Sequence, residues 1–206
     1  MKKIIIIGSG GLANEIFFET LKIQYNYEID GFVSKTNSEN IKNLRYLGDD
    51  NYLLNTKKKY NLLIGIGNIN LREKLYKKLK KNKNLLFPNF HPKKFSYLKF
   101  KGEGNIVFSS CEVSTNVLIG SLNLFGQKVF IGHDVKLDDI NNFSPSTVIN
   151  GNVTIGSKCF FGSNSNVNPG LLIKNNTVLG SGSNLITNTL SNNTYFGNPA
   201  RILFKK

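Results

Sequence analysis

The sequence predicts two folds in series, a small α/β domain followed by a three-sided parallel β-helix. Two observations predict them. The chain opens on an apolar strand that runs through a glycine turn into an amphipathic stretch. From Val107 to Leu185 an apolar residue then recurs at every sixth position without a slip.

The first half reads as alternating strands and helices. Ile4-Ile5-Ile6-Ile7 is strand-sized and flows into Gly8-Ser9-Gly10-Gly11-Leu12-Ala13. Gly8, Gly10 and Ala13 match the G-x-G-x-x-G/A pattern of a Rossmann-like turn, and Asn14 to Lys22 follows as an amphipathic helix. A turn of that kind at a helix N-terminus presents backbone N–H groups to a phosphate. Asn26 to Val33 is a second strand, Leu62 to Ile66 a third, Leu71 to Lys81 a helix with its lysines on the wet side, and Leu85-Leu86-Phe87 a last short strand. A full dinucleotide fold needs two such halves, and there is no room for the second before the repeats begin. Half a unit fits one nucleotide better than NAD. Asp30 sits near where a ribose-binding acid would stand, but within the second strand.

The second half is periodic. Val107, Val113, Ile119, Phe125, Ile131, Leu137, Phe143, Ile149, Ile155, Phe161, Val167, Ile173, Leu179 and Leu185 are all apolar. With 40% of the residues apolar, chance gives such a run on the order of a few times in a million. Three sixes make a coil, so residues 18 apart stack. One edge becomes Val107, Phe125, Phe143, Phe161 and Leu179. Glycine often follows the anchor (Gly120, Gly126, Gly132, Gly156, Gly162, Gly180), which we read as suiting tight corner backbone angles. The position two before the anchor is small or β-branched, as at Val117, Val129, Thr147, Cys111 and Cys159. Both cysteines therefore read as packing residues. No inserted loop breaks the coils, so flat outer faces are expected to pack into an oligomer.

Composition narrows the function. The formal net charge is +14, but the lysines spread over helix surfaces at Lys57-Lys58-Lys59 and Lys74 to Lys83, and no nucleic-acid module pattern accompanies them. No apolar run reaches the roughly 18 residues of a membrane span, and Ile4–Ile7 lacks the features of a secretion signal. A cytoplasmic protein that binds neither nucleic acid nor membrane is expected. Two cysteines and two histidines in 206 residues make neither a disulfide framework nor a zinc site, so no metal is expected.

The ordered set Gly8-Ser9-Gly10-Gly11, Ile64-Gly65-Ile66-Gly67-Asn68 with Arg72, His91-Pro92, Gly132-His133-Asp134, Gly151-Asn152-Val153-Thr154-Ile155-Gly156 and Gly197-Asn198-Pro199-Ala200-Arg201 spans nearly the whole chain. It resembles the sialic acid O-acetyltransferase family, hexapeptide-repeat acyltransferases that include the UDP-4-amino-sugar N-acetyltransferases. The resemblance implies a left-handed β-helix, against the usual crossover rule. It also implies a homotrimer, acetyl-CoA as co-substrate bound between neighbouring prisms, and acetylation of a nucleotide-linked amino sugar in bacterial surface-glycan biosynthesis. O-acetylation of a sugar or sialic acid, and a non-catalytic nucleotide-sugar-binding trimer, remain open alternatives.

By the same resemblance residues 1–86 bind the nucleotide sugar, 87–104 form a junction, and 105–206 are the acetyltransferase domain with its C-terminal extension. His133 is the general base and Asp134 its orienting acid. This chemistry suits a histidine, since acetyl transfer from a thioester needs a proton taken from the attacking group. Gly8, Gly10, Gly11, Gly67, Asn68 and Asn142 are the candidate substrate and nucleotide residues. Gly151, Gly156, Ser163, Gly180 and Arg201 are those for acetyl-CoA, with Arg201 near a CoA phosphate. His91 reads as structural. Three departures from the family stand out: Asn142 where a second histidine is common, Ser34-Lys35 where acids usually contact the nucleotide sugar, and Leu12 where histidine is frequent.

Overall fold

The computed structural model describes residues 2–35, 41 and 44–203. The chain divides into two compact units, 1–96 and 97–206.

The first unit is a five-stranded parallel sheet in the order β3-β2-β1-β4-β5, formed by β1 (Lys2–Ile7), β2 (Tyr27–Val33), β3 (Tyr46–Gly48), β4 (Tyr60–Ile64) and β5 (Leu85–Leu86). Among the described residues three α-helices connect the strands: α1 (Gly11–Lys22), α2 (Asp50–Leu54) and α3 (Ile69–Leu79). Ile4 to Ile7 are buried on both sides, which explains why β1 ends in an unbroken apolar run rather than an alternating one. The third helix begins two residues before the sequence suggests. Asn68 caps it, its side-chain oxygen accepting the Leu71 N–H at 2.9 Å. Asp30 lies within β2 and is held by Lys3 at 2.7 Å and Arg45 at 3.4 Å. His91 is tied to the same unit: its N–H donates to Asn26 Oδ1 at 3.1 Å, and its Nδ1 lies 2.9 Å from Pro92 O. Strand order reverses between β1 and its two neighbours, β2 and β4, and the crevice above such a reversal is the usual ligand position in open α/β sheets.

The second unit is a solenoid of two-residue strands in three parallel sheets. The first face stacks Ile106–Val107, Leu124–Phe125, Asn142–Phe143, Phe160–Phe161 and Val178–Leu179, then a closing hairpin of Thr194–Gly197 and Ala200–Ile202. The second stacks Glu112–Val113, Phe130–Ile131, Val148–Ile149, Asn166–Val167 and Asn184–Leu185. The third runs from Lys99–Phe100 through Leu118–Ile119, Lys136–Leu137 and Thr154–Ile155 to Leu172–Ile173. Strand partners are 18 residues apart, as at Phe125, Phe143 and Phe161. These three rings are fully buried and stack with centroids 5.1 and 4.9 Å apart and planes within 14° and 8°. That separation is close to the ~4.8 Å spacing of adjacent strands.

Two features of the corners differ from the sequence reading. The left-handed backbone falls three residues after the anchors from Val113 to Leu179, at Lys128, Asp134, Ile140, Ser146, Asn152 and their equivalents, and not on the glycine next to the anchor. Those glycines are required by the coil above. A Cβ on Gly132 would lie 2.6 Å from Gly151 N, and one on Gly126 would lie 2.9 Å from Phe143 O. The second difference is a buried amide ladder at the corner between the third and first faces. Asn105, Asn123 and Asn141 each offer Oδ1 to the backbone N–H one coil on, at 2.8, 2.9 and 2.8 Å, the last to Cys159. Fully satisfied, such a ladder fixes coil register without the cost of an unpaired buried amide. Cys159 ends this column, its thiol directed to Lys174 O at 3.2 Å.

Candidate active site

In the first unit, the loops after β1, β2 and β4 enclose a cavity of about 480 Å³. Its walls include Gly8, Gly10, Gly11, Ser34, Lys35, Asp50 and Gly67. Gly8 (φ +112) turns the chain sharply out of β1, and its N–H donates to Val33 O at 2.8 Å. The Gly8 and Gly65 loops pack closely, a Cβ on Gly8 falling 3.1 Å from Gly65 O, and a Cβ on Gly65 would lie 2.9 Å from Ile6 Cγ2 in β1. Gly10, Gly11 and Gly67 differ: open space lies where their Cβ would be. Gly10 is the N-cap of α1 and brings no side-chain cap, so the helix N-terminus faces the cavity bare. Asn68 is not on the cavity wall; its side-chain oxygen is spent on the α3 cap. Beneath the loop lies Arg72, buried to 1% exposure, whose guanidinium donates to Ile66 O at 3.1 Å and Gly67 O at 3.3 Å. Burial pushes its pKa down to about 10, so it stays charged at neutral pH. Asp50 pairs with Lys78 at 3.3 Å.

In the second unit, His133 and Asp134 occupy the corner between the second and third faces. His133 Nδ1 lies 2.8 Å from Asp134 Oδ2. A carboxylate only accepts, so Nδ1 donates this bond, and in the neutral ring that leaves Nε2 as the acceptor. The other carboxylate oxygen accepts from Asn116 Nδ2 at 2.5 Å, one coil below. The His133 bond and then the Asn116 bond hold the Asp134 carboxyl below the usual carboxylate range. The ring lies over Gly151, whose missing Cβ would sit 2.5 Å from Nε2, 2.8 Å from Cε1 and 3.0 Å from Cδ2. Ser114, Phe130, Asn150 and Pro169 complete a pocket of about 440 Å³ around this corner. The imidazole is 65% exposed, so a substrate can reach Nε2.

The remaining candidates stand elsewhere. Gly156 lies on the corner between the third and first faces, where the Asn175 side chain fills the space a Cβ would need while its Oδ1 accepts the Ser157 N–H at 2.8 Å. Ser163 and Gly180 lie on the corner between the first and second faces, the latter beneath the Phe196 ring. Arg201 is exposed in the closing hairpin, its Nη1 donating to Ala200 O at 3.3 Å. Asn142 is buried on the first face, and its Oδ1 has no partner among the described residues. Within one chain, then, Gly151 shares a corner with His133, whereas Gly156, Ser163, Gly180 and Asn142 do not. Sequence reasoning missed Asn116, although its spacing of 18 from Asp134 was available to find it. It also missed Phe130, whose strand position left open whether it faced this corner.

Among the described residues no group of histidine, cysteine, aspartate and glutamate is arranged to hold a metal, and no helix is long and apolar enough to cross a membrane.

Residues 3–79 match the family model of the PglD N-terminal domain. No curated protein matches the sequence. Among solved structures, a variant of perosamine N-acetyltransferase from Caulobacter crescentus, in complex with CoA and GDP-perosamine, superposes with a TM-score of 0.88 at 22% identity, over 100% of this chain and 98% of that one. The acetyltransferase domain of PglB from Neisseria gonorrhoeae FA1090, in complex with acetyl coenzyme A, gives 0.85 at 19% identity over 98% and 99%. WeeI from Acinetobacter baumannii AYE gives 0.69 at 19% identity over 98% and 100%. These likenesses fix the fold as a Rossmann-like sheet followed by a left-handed parallel β-helix.

Proposed function

We propose that this chain, a PglD N-terminal domain joined to the left-handed β-helix of the hexapeptide-repeat sugar acetyltransferases, transfers an acetyl group from acetyl-CoA to the amine of a nucleotide-linked sugar. The observation that carries the reading is the His133 ring, tied through Nδ1 to Asp134 and presenting Nε2 to an open pocket over a glycine. The solved relatives supply the substrate classes: one is bound to CoA and GDP-perosamine, another to acetyl-CoA.

In the proposed reaction the sugar amine attacks the thioester carbonyl. His133 Nε2 takes the proton that the nitrogen loses, and Asp134 stabilises the imidazolium that forms. A backbone N–H of the corner stabilises the tetrahedral oxyanion. The C–S bond then breaks, and the CoA thiolate leaves and takes up the proton. The first-unit cavity holds the nucleotide, with its phosphates at the bare α1 N-terminus beside Gly8, Gly10, Gly11 and Gly67. Asn68 frames that loop from outside the wall. Ser34 and Lys35 contribute a hydroxyl and a cation where acids usually stand, which favours contact with nucleotide phosphate or carbonyl oxygens. Residues 1–86 thus serve the nucleotide and 105–206 the chemistry, with 87–104 between them.

The chain works as a homotrimer in this reading. A groove between two copies sets the His133 corner of one against the first face of its neighbour and the two corners that flank that face. That arrangement is how Gly156, Ser163, Gly180 and Arg201, though distant from His133 in one chain, join one acetyl-CoA cleft, with Arg201 toward a phosphate. It also gives the unpaired Asn142 oxygen a donor. The enzyme acts in the cytoplasm, in bacterial surface-glycan biosynthesis, where acetyl-CoA and nucleotide sugars meet. The test is CoA release, read as free thiol, with UDP-, GDP-, CMP- and dTDP-linked sugars bearing an amine or only hydroxyls. Release confined to one amino sugar supports the proposal. Release with hydroxyl sugars alone moves the reaction to O-acetylation, and silence throughout from a folded trimer rejects catalysis.

A further inference from the structure

We infer that Asn116 is a positioning residue: it locks the plane of the Asp134 carboxylate and so fixes the tautomer and direction of the His133 ring. An aspartate at a solvent-facing corner has two free torsions, and Asp134 is 48% exposed. One hydrogen bond to histidine leaves such a carboxylate free to pivot about it. A second bond, to the other oxygen from a different direction, removes the pivot. Asn116 supplies that bond, Nδ2 to Oδ1, while Oδ2 holds His133.

The fold delivers this contact through its repeat. Asn116 and Asp134 are 18 residues apart and share the left-handed backbone state, with φ of 58° and 60°. Their side chains therefore leave equivalent corners in the same direction, one coil apart, and the ~4.8 Å between coils suits one hydrogen bond between them. The Asp134 N–H also donates to Thr115 O at 3.1 Å, which anchors its backbone to the residue before Asn116. Rungs between corner side chains recur in the solenoid, as where Asn176 Nδ2 donates to Asn192 Oδ1 at 2.9 Å and Ser110 Oγ to Gln127 Oε1 at 2.6 Å, and other corners link backbone to side chain, as where Ser121 N donates to Asp139 Oδ1 at 2.6 Å. The Asn116 rung is set apart by what it carries: the acceptor at its far end, Asp134, holds the imidazole through its other oxygen.

The test needs no substrate, because the chain has only two histidines, His91 and His133. Nitrogen-15 histidine spectra at a pH where both rings are neutral give each tautomer directly. His91 Nδ1 faces Pro92 O at 2.9 Å and serves as an internal reference. Asn116→Gly is the informative change, since glycine accepts the left-handed backbone and removes only the amide. Asn116→Asp keeps the side-chain length but replaces the N–H donor with an acceptor. In the unaltered protein His133 is expected as the Nδ1–H tautomer. In both variants its resonances move toward a mixture with Nε2–H, while His91 and the melting temperature of Asn116→Gly stay unchanged. An unaltered His133 tautomer in Asn116→Gly, or an Nε2–H tautomer in the parent protein, overturns the inference. A kinetic readout rests on the acetyltransfer reading: kcat falls on the order of ten- to a hundredfold, as for outer residues that orient a working histidine, with KM for acetyl-CoA unchanged. If the parent protein releases no CoA, that reading fails, and the spectra still decide the role of Asn116.

Discussion

Gly151→Ala separates the site from the scaffold. The added methyl would lie 2.5 Å from His133 Nε2, against about 3.5 Å for a comfortable contact. The ring must withdraw by roughly 1 Å, and a misplacement of that size costs about a hundredfold in rate, near 2.7 kcal/mol of barrier. The fold loses little. Gly151 is not among the left-handed corner residues, so alanine fits its backbone. The imidazole is mostly exposed and can swing outward. Restricting the unfolded chain should add about 0.4–1 kcal/mol of stability. The expected result is kcat/KM for CoA release down about a hundredfold with a melting temperature equal or slightly higher. Activity within threefold of the parent would refute the placement of His133 over Gly151. A melting temperature lower by several degrees would show that the glycine serves the coil instead.

Gly132→Ala, one coil from Asn150, should behave oppositely: its Cβ meets Gly151 N at 2.6 Å and Asn150 C at 2.7 Å. Backbone yields less readily than a side chain, so a loss of about 1–3 kcal/mol is expected in denaturant titration. Cys159 should be inert to thiol reagents in the folded protein at pH 8 and reactive once unfolded. Burial raises its thiol pKa from 9.0 to about 11. Between those values the unfolded chain has lost a proton that the folded chain retains, so stability should fall as pH rises, by about 2–3 kcal/mol. Replacing Cys159 with serine should flatten that dependence in unfolding curves measured from pH 8 to 11.

The solenoid was legible because its constraint is periodic. A dry interior demands an apolar residue at every sixth position, and Phe125, Phe143 and Phe161 announce their stack by spacing alone. The same spacing of 18 stacks Gly151 against His133. It also contained Asn116, 18 before Asp134, which becomes conspicuous only once the carboxylate is seen to turn down the corner. Asn105, Asn123 and Asn141 were invisible to a hydropathy pattern, because a buried amide is tolerated only when its partners are backbone groups one coil away. The corner glycines were legible as corners but given the wrong reason, since clearance between coils leaves the same residue as backbone freedom does. Asn142 illustrates a limit of homology by spacing. Nine residues are half a coil, so it lies on another face from His133 in its own chain. In the first unit the glycine loops could be placed because β1 and β4 each end in an uninterrupted apolar run, Ile4–Ile7 and Leu62–Ile64. Tyr46–Gly48 and Asp50–Leu54 were not foreseen, being short and weakly patterned.

The measurement that tests the central claim most directly is CoA release by the parent protein and by His133→Ala, each with saturating acetyl-CoA and the amino sugar that supports turnover. With His133 as the base, the variant should fold, bind both substrates and lose at least a hundredfold in kcat. A His133→Ala protein that retains most of the parent kcat would contradict the account.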